Sequence, residues 1–172
     1  SKNSKNEIDY VSKNNYFFIK QHEDRKIYSL YFDSAKLIEF NNTLNGLNKK
    51  KKFRYRFYND ISKKIDGQWE IKEKIGINTS KKIYKESIDK IQLFDNKIFE
   101  FVSKFDSVNF YLRKFPFSNR LISYERKYFF SKKYGKDFRL TLDSNISSSL
   151  NINDTFRTDT EKSYSILELK IS

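Results

Sequence analysis

Lys52, Arg54 and Arg56 occupy alternate positions of the segment KKFRYRFY, with Phe53, Tyr55 and Phe57 between them. Successive side chains of a strand point to opposite faces, so this spacing places three cations on one face and three aromatic rings on the other. QWEIKEKI repeats the pattern, with Glu70, Lys72 and Lys74 opposite Trp69 and Ile71. In DFRLTLD, Asp137, Arg139, Thr141 and Asp143 oppose Phe138, Leu140 and Leu142; in SILELK, Glu168 and Lys170 oppose Leu167 and Leu169. Arginine forks grip phosphate oxygens bidentately, and carboxylates among them relieve repulsion or hold a hard cation. The chemistry on offer is recognition of a polyanion.

A solvated outer face accounts for any single strand of this kind. Four such strands are harder to explain that way, because Thr or Ser would serve as well on an open surface. Cations two residues apart on a strand are about 7 Å apart and repel by on the order of 2 kcal/mol at an effective dielectric near 20. Gathered in an enclosed lumen, they require a bound polyanion or interleaved carboxylates, and Glu70 and Glu168 supply the latter.

Composition narrows the partner. Lys and Arg number 35 against 22 Asp and Glu, a formal charge of +13. That surplus suits nucleic acid, an anionic membrane or a phosphate-rich small molecule. Hydrophobic residues are only 37 %, but 12 Tyr and 17 Phe argue against disorder. Without Cys there are no disulfides and no thiolate metal sites. The one histidine, His22, reads as a surface loop residue, and four glycines form no phosphate cradle. No apolar run is long enough to span a bilayer, and no signal peptide is evident, which fits a cytoplasmic protein, with membrane association through regions outside this sequence left open. The absence of Met leads us to expect a fragment of a longer reading frame.

The elements that would position these residues are mainly strands. Lys26–Asp33, Lys51–Tyr58, Gln68–Ile75, Leu121–Phe130, Asp137–Asp143 and Ser163–Ile171 read as strands. Asn59-Asp60 and Asp66-Gly67 bracket a hairpin-like connection, and Gly135 marks a later turn. Ser34–Leu44 reads as a short helix. Ile88, Ile91, Ile98, Phe101, Val102 and Phe105 recur at helical spacing and predict a helix or helix pair on the sheet, ended by Phe115-Pro116. Ser1–Asn15 and Ser144–Lys162 read as polar loops. The fold class is α+β, dominated by antiparallel strands, in one domain over residues 1–172.

In this order, the segments resemble the VTC domain, a polyphosphate polymerase family of the triphosphate tunnel (CYTH-like) superfamily. YSLYFDS (28–34), KFRYRFYND (52–60), WEIKEK (69–74), SYERKYF (123–129), FRLTLD (138–143) and ILELK (166–170) are similar to six of its strand motifs. Each motif is weak alone, but the six fall in register. The resemblance implies an antiparallel β-barrel, the triphosphate tunnel, with a charged interior and helices packed outside. It assigns phosphate binding to Lys52, Arg54, Arg56, Lys72, Lys74, Lys82, Arg126 and Arg139. Glu168 matches the acidic residue that holds a divalent metal, Mg²⁺ or Mn²⁺, with Glu70 as a second metal or supporting ligand. The family's first strand, with an E-x-K signature, and its strands after L-E-x-K have no counterpart, so the domain is expected to be incomplete at both ends.

Three functions stay open. The first is synthesis of polyphosphate from a nucleoside triphosphate, implied by the resemblance, and the second is hydrolysis of tripolyphosphate or a nucleoside triphosphate on the same scaffold. Positioning and charge neutralisation suffice for either, with no separate catalytic residue. The third is a non-catalytic nucleic-acid binder, which needs aromatics and cations on one face rather than on two.

Overall fold

The computed structural model describes residues 18–58, 63–94, 97–152 and 155–172. Eight strands, β1 (Ile19–Asp33), β2 (Lys49–Tyr58), β3 (Lys64–Ile75), β4 (Asn78–Asp89), β5 (Phe117–Lys133), β6 (Lys136–Ile152), β7 (Thr155–Lys162) and β8 (Ile166–Ile171), form one sheet. Three short helices accompany them: α1 (Ile38–Leu44), α2 (Lys90–Phe94) and α3 (Asp106–Lys114), with a 3₁₀ turn at Lys97–Glu100. The strands pair in the order β4-β3-β2-β1-β5-β6-β7, and β8 pairs with β6. The β2–β3, β3–β4 and β6–β8 pairs are antiparallel. This is the expected α+β class. Among the described residues the strand path stays open rather than closing into a barrel.

Two compact units divide the chain. The larger holds Tyr28–Ile122 and Ser148–Asp159; the smaller holds Ser123–Ser147, Thr160–Ser172 and the N-terminal stretch through Ile27. In the larger unit, alternation in β2 and β3 produces an aromatic core. Phe53, Tyr55, Phe57 and Trp69 are at most 1 % exposed. Phe53 stacks on Trp69 with ring centroids 5.0 Å apart, and Tyr55 meets the same indole edge-on. Ile98, Leu93, Val108, Tyr111 and Leu112 join this cluster from the helical segments. Such rings each remove a large area from water, which a chain poor in aliphatics needs.

Several expectations need correction. Asp66-Gly67 is not a turn; both residues lie within β3. Gly67 is required there because a Cβ would come within 2.6 Å of the Tyr55 ring and of the Arg56 carbonyl oxygen. Asn59-Asp60 and Ser1–Asn15 lie outside the described residues. His22 belongs to β1, edge-on to Tyr128, rather than to a loop.

The helical reading from Ile88 began too early. Ile88 belongs to β4, which ends at Asp89, and among the described residues of this stretch helix appears only in pieces at 90–94, 97–100 and 106–114. The segment NTSKKIYKESID forms β4 although it lacks alternation: this edge strand is mostly exposed and is held by full pairing to β3. Likewise Ser144–Lys162 is not a loop but the end of β6 followed by β7. Gly135 does mark its turn, since Tyr134 and Gly135 both have positive φ, 54° and 73°, as a two-residue hairpin of the I′ type requires.

Candidate phosphate-binding site

Glu70 sits at the centre of the charged face of β2, β3 and β4. Register builds this face row by row. Lys52 pairs with Lys72, which pairs with Lys81; Arg54 pairs with Glu70, which pairs with Ile83; Arg56 pairs with Gln68, which pairs with Lys85. Lys50 opposes Lys74 in the next row. The buried rings of Phe53, Tyr55 and Trp69 fix the phase of the strands, so their neighbours must all point the other way.

The Glu70 carboxylate is 2 % exposed and surrounded by donors. Arg54 donates to Oε2 from Nε at 2.8 Å and from Nη2 at 2.5 Å. Gln68 Nε2 donates to Oε1 at 2.7 Å, and Lys81 Nζ stands 3.1 Å from the same oxygen. Arg56 Nη1 is 3.6 Å away. Burial pushes the carboxyl upward, but the charges of Arg54 and Arg56 and the bonds from Arg54 and Gln68 outweigh it and hold the pKa at about 2. Three cations therefore share one anion. The cluster carries a surplus of two positive charges.

Strand β1 supplies the remaining support. Arg54 Nη1 donates to Tyr31 Oη at 2.6 Å, and its guanidinium lies 5.5 Å from that ring centre. Arg56 Nε donates to Ser29 Oγ at 3.2 Å. Burial lowers the basicity of Arg54, yet the neighbouring Tyr31 and Glu70 raise it above the ordinary arginine value. Both guanidinium groups are thus held in fixed orientation while still reaching solvent, with side chains 21 % and 12 % exposed. Two oriented guanidinium groups with a positive surplus are an arrangement suited to holding an anion.

The predicted residues do not all share this face. Lys52, Arg54, Arg56, Lys72, Lys74 and Glu70 do. Lys82 does not: it pairs with Ile71 on the opposite face and borders a cleft of about 400 Å³ with Glu73, Tyr111 and Asp106. There Glu73 accepts from the Tyr111 hydroxyl and meets Lys51 at 2.9 Å, and these two partners hold its carboxyl below the usual range. Lys81 stands beside Glu70 instead. Sequence reasoning missed Lys81 because adjacent lysines give no phase in a strand without alternation. Tyr31 and Ser29 were missed as well, although their alternation with Leu30 and Phe32 was available.

Arg126, Arg139 and Glu168 belong to the smaller unit. Arg126 grips Asp143 with Nε and Nη2 donating at 2.5 and 2.6 Å, and this bond raises the basicity of its guanidinium. Arg139 pairs with Lys170 across β6 and β8, and Thr141 pairs with Glu168. Glu168 is exposed and lies 3.3 Å from Lys170 Nζ. Thr141 Oγ1 is buried without a hydrogen-bond partner among the described residues.

A family model of the VTC domain matches residues 2–112, more than half of the chain and all of the strands that build the charged face. The chain belongs to the VTC domain family. Membership points to a function related to polyphosphate polymerisation. No curated protein matches the chain in sequence. The matched stretch of this VTC domain carries the Glu70 cluster, whereas Arg126, Arg139 and Glu168 lie beyond it. No helix among the described residues is long and apolar enough to cross a membrane.

Proposed function

We propose that the face built by Lys52, Arg54, Arg56, Lys72, Lys74 and Lys81 binds the phosphate groups of polyphosphate or a nucleoside triphosphate as one wall of a triphosphate tunnel, and that the protein transfers phosphoryl groups. The observation that carries this reading is the Glu70 cluster. A lone arginine pair on a solvated strand would be mobile; here a buried carboxylate, a tyrosine and a serine orient both guanidinium groups. Fixed cations stabilise charge that spreads over phosphate oxygens in the transition state without reorganising.

In the synthetic reaction, a terminal oxygen of the growing chain forms a bond to the γ-phosphorus as the bond to the β–γ bridging oxygen breaks, and the nucleoside diphosphate leaves. In the hydrolytic alternative, water is the acceptor. Family membership favours synthesis. Nucleic-acid binding is disfavoured by burial: Phe53, Tyr55 and Phe57 are in the core and offer no ring for a base to stack on.

A divalent cation fits Glu168 better than Glu70. Both Glu70 oxygens already accept from cations. Glu168 is exposed, and the orphaned Thr141 Oγ1 on the paired residue adds a second oxygen of the hard type that Mg²⁺ and Mn²⁺ prefer. No cluster of three His, Asp or Glu exists among the described residues, so phosphate oxygens would complete the shell. When bound, such a cation neutralises charge on bridged phosphates. Arg126 and Arg139 remain assigned to phosphate as well.

Calorimetry with tripolyphosphate at fixed ionic strength tests the reading. Each lost charge-assisted bond costs about 1.5–3 kcal/mol, so Arg54→Ala with Arg56→Ala should weaken binding by roughly 100-fold or more. Lys132→Ala with Lys136→Ala removes the same charge from exposed positions flanking the β5–β6 turn and should change affinity only a few-fold. Equal losses would overturn the site. Labelled nucleoside triphosphate with a short polyphosphate acceptor then separates chain growth from release of orthophosphate.

A further inference from the structure

Helix α1 buries none of its residues. Leu37, Ile38, Phe40, Leu44 and Leu47 are 39, 49, 53, 73 and 48 % exposed, five large apolar side chains within eleven positions. Phe40 and Leu44 share one face of the helix, and Leu37, its N-cap, precedes Phe40 by three positions. Isolated exposed apolar side chains are ordinary, but a set clustered on one short helix and its two flanks marks an interaction surface.

The residues beside this stripe give the sign of the partner. Leu47 lines an open cleft of about 600 Å³ with Lys49, Lys51 and Lys114, together with Asn42 and Asn48. Lys51 is already matched by Glu73 at 2.9 Å, and Glu39, the one acid in the lining, accepts the Lys51 backbone N–H through Oε2 at 2.8 Å, so the positive surplus of the cleft comes from Lys49 and Lys114. Lys36 and Lys49 are exposed at either end of the helical segment. Lys49 and Lys51 project from β2 on the side of Phe53 and Tyr55, opposite to the Arg54 and Arg56 face, so these lysines are not part of the phosphate site.

We propose that α1, with Lys49 and Lys114 beside it, docks on the surface of an anionic lipid bilayer. The apolar stripe enters the headgroup–acyl boundary while the lysines meet lipid phosphates, the combination that interfacial helices use. A soluble anion would satisfy the lysines and leave the stripe in water. An apolar protein groove would cover the stripe and leave Lys49 and Lys114 without counter-charge. A lipid surface satisfies both.

Vesicle co-sedimentation of the full chain tests this. Binding should be strong on phosphatidylcholine vesicles holding about 30 % phosphatidylserine and weak on phosphatidylcholine alone. Phe40→Ser with Leu44→Ser should reduce partitioning roughly ten-fold without lowering the melting temperature, since both side chains are exposed. Lys49→Glu with Lys114→Glu should reduce it by about 20-fold or more, at roughly five-fold per lysine. Lys63→Glu with Lys64→Glu makes the same charge change at the other end of the β2–β3 hairpin and should have at most a several-fold effect. Three results would overturn the proposal: equal loss from both lysine pairs, full binding by the α1 variant, or a stripe that instead drives self-association visible by size-exclusion chromatography without vesicles.

Discussion

Burial alone would push Glu70 toward its neutral form, and chiefly Arg54, Arg56 and Gln68 keep it ionised. Its folded pKa of about 2 lies below the ordinary 4.5, so its contribution to stability is fully present above pH 4.5 and is lost as pH falls through 2. A shift of that size corresponds to on the order of 3 kcal/mol at neutral pH. Glu70→Gln keeps the shape but leaves Arg54 and Arg56 without their anion. Urea denaturation at pH 7 should show a loss of roughly 2–4 kcal/mol. The difference between variant and parent should shrink steadily between pH 4.5 and pH 2. A difference independent of pH would mean that packing, not charge, is what Glu70 contributes. At this scale the sequence was informative: alternation placed Arg54, Arg56 and Glu70 on one face. It could not say that Glu70 is saturated by cations, because that depends on the distances between β2, β3 and β4.

The charged face of β2–β4 is an element under strain of its own making. Lys52, Lys72 and Lys81 pair directly across three strands, and like charges opposite one another destabilise a sheet by up to about 1 kcal/mol per pair. On the proposed reading, a bound phosphate chain would offset that repulsion. Lys72→Glu should therefore raise stability by about 1 kcal/mol in urea melts while abolishing tripolyphosphate binding. Loss of stability and of binding together would point to a structural role. Gly67 sets the opposite limit. A methyl at Gly67→Ala would strike the Tyr55 ring and the Arg56 carbonyl, so about 1–3 kcal/mol of stability should be lost, along with the orientation of Arg56. Strands with one aromatic face were legible because period two is printed in them; β4 and β7 were not. Their stability comes from pairing and from position in the sheet, which residue types such as Asn, Ser, Thr and Lys do not announce.

Over the whole molecule, a charge of +13 means that any added salt or polyanion stabilises the fold to some degree by relieving self-repulsion. The charge was the most visible feature of the sequence and also the least specific. A site adds something that screening cannot: a ligand bound only by the folded state stabilises it by RT ln(1 + [L]/Kd). At a hundred times Kd this is about 2.7 kcal/mol, which for a chain of this size corresponds to roughly 5–10 °C in melting temperature. Sulfate at matched ionic strength measures the screening part alone, and an oligonucleotide of matched phosphate concentration measures diffuse polyanion binding. Tripolyphosphate should exceed both by that 5–10 °C margin in the parent protein. In Arg54→Ala with Arg56→Ala the margin should vanish while the sulfate shift remains, because the summed charge is nearly unchanged but the oriented pair is gone. A tripolyphosphate shift no larger than that of sulfate would assign the whole effect to net charge and leave the Glu70 cluster a structural ion network.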